Sequence, residues 1–123
     1  MQKKILIVED EESLLKLESI LLTTKGCLVQ GATTGLAALE AVAAEAPDLI
    51  LLDIMLPGLD GFEVCDRIKK NPDTRHIPII LLTAKKAPED IARGEEVGAD
   101  QYITKPFKSA LVMEAIEQLL NRK

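Results

Sequence analysis

Short uninterrupted hydrophobic runs alternate along the chain with longer stretches in which apolar positions recur every three or four residues. The first pattern suits strands buried on both faces and the second suits helices that cover them, so the alternation predicts an α/β fold built on a parallel sheet. Strands are expected at Lys4–Val8, Leu28–Gly31, Leu49–Leu52, Ile79–Leu82 and Gln101–Ile103, the last one short and at a sheet edge. Helices are expected at Glu12–Thr24, Thr34–Glu45, Gly61–Lys70, Pro88–Val97 and Ser109–Asn121.

Punctuation residues agree with these limits. Gly26 and Gly98 stand where helix C-termini favour a residue tolerant of positive φ, and Pro47 and Pro78 come just before strands. Thr33 or Thr34 can cap the second helix, and Pro88 suits the first turn of the fourth, where a missing N–H costs nothing. At 123 residues, with no repeat, linker or low-complexity stretch, one domain over residues 1–123 is expected, with no output domain in the chain.

Composition narrows the chemistry by exclusion. A net charge of -5 and a pI near 4.9 argue against direct binding to nucleic acid, which requires a basic face. Cys27 and Cys65 lie far apart without a CxxC spacing, and the single His76 has no companion, so zinc and thiol redox chemistry are not expected. No run is long enough for a membrane span. The apolar segment after Met1 is too short for a signal peptide, so a cytoplasmic protein is expected.

In an open parallel sheet, ligands bind beyond the carboxyl ends of the strands, so the residue after each apolar run is the informative one. Those positions hold Glu9 and Asp10, Asp53, Thr83, and Lys105 followed by Pro106. Carboxylates brought together there repel one another by about 3 kcal/mol per pair, at roughly 5 Å and an effective dielectric of about 20. A hard divalent cation with oxygen ligands is the natural counterweight, and Mg²⁺ suits a site of one or two carboxylates, waters and a phosphate. With the Lys105 ammonium and the Thr83 hydroxyl added, the set suits phosphoryl transfer onto an aspartate.

The motifs Ile7-Val8-Glu9-Asp10-Glu11, Leu51-Leu52-Asp53-Ile54-Met55-Leu56-Pro57-Gly58, Leu82-Thr83-Ala84 and Tyr102-Ile103-Thr104-Lys105-Pro106-Phe107 resemble those of bacterial response-regulator receivers. The resemblance spans the chain. It implies a doubly wound, flavodoxin-like sheet in the order 2-1-3-4-5, with Asp53 as phosphoacceptor. It further implies Mg²⁺, or alternatively Mn²⁺, on Asp10, Asp53 and the backbone carbonyl of Met55, with Glu9 acting indirectly. Lys105 and Thr83 would contact the phosphoryl oxygens, Tyr102 would follow Thr83 as a switch, and the bond before Pro106 would be cis. The implied partners are a sensor histidine kinase or phosphotransfer protein and a downstream effector, the latter met through the fourth helix, fifth strand and fifth helix. The only reactions expected are the domain's own phosphorylation and dephosphorylation.

Plainer readings compete. The acidic run from Glu9 to Glu12 could do no more than complement the positive end of the first helix. Thr83 could be a loop residue and Tyr102 edge-strand packing; Phe62, Phe107 and the stripe Leu111, Val112, Ala115, Ile116, Leu119 and Leu120 read as core. His76 reads as an exposed loop residue, and the cysteines as half-buried fillers. A receiver-shaped docking module that signals without phosphate is the main rival function. An aspartyl-phosphate phosphatase is a lesser one, since Met55 stands where that chemistry wants a second aspartate. Gln101 and Ala115 depart from the pattern of receivers joined to winged-helix DNA-binding domains, which favours a stand-alone receiver or one excised from a hybrid protein.

Overall fold

The computed structural model describes residues 2–121. Met1, Arg122 and Lys123, counted above at the ends of the domain, lie outside the described residues. The elements run β1 (Lys4–Val8), α1 (Glu12–Thr24), β2 (Leu28–Ala32), α2 (Gly35–Ala44), β3 (Leu49–Leu52), α3 (Gly61–Lys70), β4 (Ile79–Thr83), α4 (Pro88–Glu96), β5 (Gln101–Thr104) and α5 (Ser109–Leu120). All five strands are parallel and lie in the order β2-β1-β3-β4-β5.

Because strand side chains alternate between faces, the apolar runs split residue by residue into two cores. Leu6, Val8, Ile50, Leu52, Ile79 and Leu81 face the side covered by α2 and α3, where Ala38, Val42, Phe62, Val64, Cys65 and Ile68 pack on them. Ile5, Ile7, Leu49, Leu51, Ile80 and Leu82 face the other side, under Leu22 of α1 and Val112, Ala115, Ile116 and Leu119 of α5. Cover on both faces of β1, β3 and β4 explains why these runs show no alternation of polarity.

Several boundaries move by a residue for identifiable reasons. Thr34 is extended and caps α2 by accepting from the Ala37 N–H at 3.0 Å, so the helix starts at Gly35, and the choice between Thr33 and Thr34 falls to Thr34. β2, β4 and β5 each run one residue further than expected, because the ladder continues through the pairs Val8↔Ala32 and Thr83↔Thr104. Gly26 and Gly98 take positive φ after α1 and α4. Leu111 proves an exception within its stripe, being 52% exposed, while Met113, which the stripe left out, is buried.

Candidate functional site

The sheet delivers its polar residues to one end with little freedom. The backbone of Asp53 donates to Val8 O at 3.0 Å, that of Lys105 donates to Thr83 O at 2.8 Å, and that of Glu9 donates to Ala32 O at 3.0 Å. Each bond continues the ladder one rung past its strand, so the first residue beyond each apolar run is held almost as firmly as the strand itself. The bond between Lys105 and Pro106 is cis.

These residues converge on a single ammonium. Lys105 Nζ donates to Glu9 Oε1 at 2.5 Å and to Asp53 Oδ2 at 3.1 Å. The second oxygen of Asp53 accepts from the Met55 N–H at 3.0 Å, and Glu9 Oε2 accepts from the Glu11 N–H at 3.3 Å. Glu9 and Asp53 are buried, while Asp10 is exposed at the mouth. Burial pushes the Glu9 pKa up, and the Lys105 hydrogen bond opposes this only in part. For Lys105 burial acts to lower the pKa, but the bonds to Glu9 and Asp53 outweigh it and the net shift is upward. At neutral pH the ammonium is therefore fixed in place as a charge.

One ammonium faces three carboxylates, and oxygens of Glu9, Asp10 and Asp53 all lie within 4.8 Å of one another. An all-oxygen, acid-rich donor set with residual negative charge fits a hard divalent cation such as Mg²⁺ and gives a softer metal no ligand it prefers. The helix-capping reading of the acidic run receives limited support: Glu11 is the N-cap residue of α1 but makes no side-chain cap bond, and Glu12 alone occupies the first turn as an acid. Glu9 belongs to the cluster instead.

The loop that follows Asp53 is set by a glycine. A Cβ built on Gly61 would lie 2.3 Å from Asp53 O and 2.6 Å from Ile54 Cα, so only glycine lets α3 begin so close beneath the phosphoacceptor candidate. The Gly61 N–H also donates to Ile54 O at 3.0 Å. The sequence marks Gly61 only as the start of a helix, although a glycine at that position is a signal of close approach.

Thr83 is fully buried at the end of β4 and its Oγ1 accepts from the Lys85 N–H at 3.4 Å. Tyr102 on β5 is half-buried, and its hydroxyl donates to Lys85 O at 2.6 Å, which ties the edge strand to the connection that follows Thr83. The ring lies against Gly94 of α4, where an added Cβ would come within 2.7 Å of Tyr102 Cδ2. Gly94→Ala is accordingly expected to displace the ring and break the bond to Lys85. Overpacking of 1–3 kcal/mol, offset by roughly 1 kcal/mol of better helix propensity, leaves a net loss of about 1 kcal/mol. Tyr102 is the protein's single tyrosine and there is no tryptophan, so its intrinsic fluorescence reports the displacement directly.

Among the remaining expectations, Phe62 is core and His76 is exposed. Phe107 is only half-buried at the margin of the second core. Cys27 is half-buried, but Cys65 is wholly buried, its thiol 3.6 Å from Val97 O, and burial pushes its pKa to about 12. The main omission is Glu18 of α1, an acid 5% exposed. Its signal was its place among Leu14, Leu15, Leu21 and Leu22, three or four residues away on the apolar side of the helix.

Comparison with known proteins places this geometry in context. Residues 5–117 match the family model of the response regulator receiver domain. The response regulator PleD of Caulobacter vibrioides is 40% identical over 123 residues, covering 100% of this chain and 27% of that protein. The alkaline phosphatase synthesis transcriptional regulatory protein PhoP of Bacillus subtilis is 44% identical over 122 residues, covering 99% of this chain and 50% of PhoP. The chain thus spans half or less of these two relatives. Among solved structures, the signal receiver domain of a signal transduction histidine kinase from Syntrophus aciditrophicus superposes with a TM-score of 0.92 at 35% identity, covering 98% of this chain and 94% of that one.

Proposed function

The chain belongs to the response regulator receiver domain family, and from that membership we propose that it is a signalling switch in which Asp53 accepts a phosphoryl group from a sensor histidine kinase or phosphotransfer protein. The observation that carries this reading is the placement of the Asp53 carboxylate at the end of β3, oriented through one oxygen by the Met55 N–H and through the other by Lys105.

An Asp53 oxygen attacks phosphorus in line as the bond to the donor imidazole nitrogen breaks, and the imidazole keeps the electron pair. Lys105 then exchanges its bond to the carboxylate for one to a phosphoryl oxygen, and the Thr83 hydroxyl donates to another. Mg²⁺ or Mn²⁺, held by Asp10, Asp53 and the Met55 carbonyl with Glu9 behind them, would supply the positive charge that lets an anionic donor approach an anionic pocket. Added negative charge beside Thr83 biases the Thr83, Lys85 and Tyr102 arrangement, and the readout is the face of α4, β5 and α5.

The receiver itself makes no nucleic-acid contact, consistent with its net charge of -5. Among the described residues no helix is long and apolar enough to cross a membrane.

Intact mass after incubation with acetyl phosphate, with and without Mg²⁺, tests the proposal on the parent and on Asp53→Asn. One added phosphoryl group is expected only for the parent with metal. Addition to the variant would move the acceptor elsewhere, and no addition to the parent would leave the phosphate-independent docking module as the better account.

A further inference from the structure

Between α1 and the connection from β5 to α5 runs an open groove of about 690 Å³. Its walls are mainly hydrocarbon, from Leu14, Leu17 and Leu21 on one side and Pro106 and Phe107 on the other. Glu18 also lines it. That residue is 5% exposed, and its Oε2 has no hydrogen-bond partner among the described residues. Lys105 lines the groove as well, but its ammonium donates to Glu9 and Asp53 rather than to Glu18. An unpartnered carboxylate oxygen in an apolar wall is costly once the group is ionised, and a donor from outside the fold would relieve that cost. Volume, apolar lining and a few polar groups, Glu18, Lys105 and Ser109, together match the usual anatomy of a small-molecule site.

We propose that this groove binds a small organic monocation, a primary ammonium carried on a short hydrophobic body, with the ammonium donating to Glu18 and the body lying between Leu17 and Phe107. One buried acid calls for a single positive charge. The hydrocarbon walls call for an aliphatic or aromatic remainder, and Leu17, 62% exposed, leaves one side open for entry. The proposal does not require phosphoryl transfer at Asp53, although Lys105 borders both the groove and the acidic site. It concerns a different carboxylate on a different element.

The test is a heteronuclear NMR titration with phenethylammonium, run at pH 8 so that Glu18, with its pKa at about 7, is ionised. Saturable shifts are expected at the methyls of Leu14, Leu17 and Leu21 and at the ring of Phe107, with a dissociation constant on the order of 1 mM for a ligand of this size. Neutral 2-phenylethanol, and phenethylammonium with Glu18→Gln, should each bind at least about tenfold more weakly, the factor that 1.4 kcal/mol represents. A dispersed spectrum certifies that the variant is folded, and Glu18→Leu serves as a second variant that keeps the apolar wall. Equal binding of the alcohol, undiminished binding to both variants, or shifts that map elsewhere would overturn the assignment, as would the absence of saturable shifts at about ten times the expected constant.

Discussion

Replacing Lys105 with alanine is expected to lower the unfolding free energy by about 3 kcal/mol at neutral pH in metal-free buffer, the low end of the cost of leaving a buried charge unpaired. Its ammonium is the cation shared by Glu9 and Asp53, whose side chains are 3% and 8% exposed. Without it two buried carboxylates remain close together with no counter-charge. The sign of the pH dependence follows. The Glu9 pKa is already raised by burial, and losing Lys105 raises it further, so acidification neutralises Glu9 in the variant first. The gap between variant and parent should therefore narrow as pH falls, and it should narrow again when Mg²⁺ is added. Urea denaturation across pH, with and without the ion, measures both effects. A gap insensitive to both would mean that Lys105 contributes packing of its aliphatic stem rather than charge.

The second large effect has the opposite direction. Glu18→Leu is expected to stabilise the protein by about 2 kcal/mol at pH 8, because it removes a buried acid with an unsatisfied oxygen and puts hydrocarbon against Leu14, Leu17 and Leu21. Burial, then the charge of Glu9, raise the Glu18 pKa from 4.5 to about 7, with Lys105 opposing and Asp53 adding a little. Between those values the unfolded chain has already released the proton that the native state retains. Parental stability attributable to this group is then greatest below about pH 4.5 and declines until about pH 7. The advantage of the leucine variant should accordingly grow over that interval and level off above it. Thermal or urea unfolding at pH 5 and pH 8 gives the comparison; equal differences at the two would show that Glu18 does not carry the titration.

The two cases also mark what the amino-acid order discloses and what it conceals. Strand positions were legible because residues such as Ile50 and Leu81 are buried on a doubly covered sheet, where no alternation can blur the run. The positions of Asp53 and Lys105 at strand ends followed from the same runs, since chemistry in this architecture collects where the hydrocarbon stops. Glu18 escaped notice because a helix tolerates an acid at most positions, and only the folded neighbours reveal which face it takes. Gly61 and Gly94 escaped for a related reason: their role is an absence of atoms, defined by Asp53 O and the Tyr102 ring, which are distant in sequence. Helical period alone points Leu111 inward, yet the fifth helix turns it outward beside β5.

The order of the strands carries one more implication. Glu9 and Asp53 directly follow β1 and β3, neighbours in the middle of the sheet, whereas Lys105 directly follows β5, which hangs from β4 alone at the margin. The repelling pair is thus built into the part of the molecule with the most support, and its neutralising partner into a part with less. A momentary detachment of that margin would uncover the acids and make closing again electrically favourable, so the charge imbalance at the centre acts as a restoring force on the outermost strand.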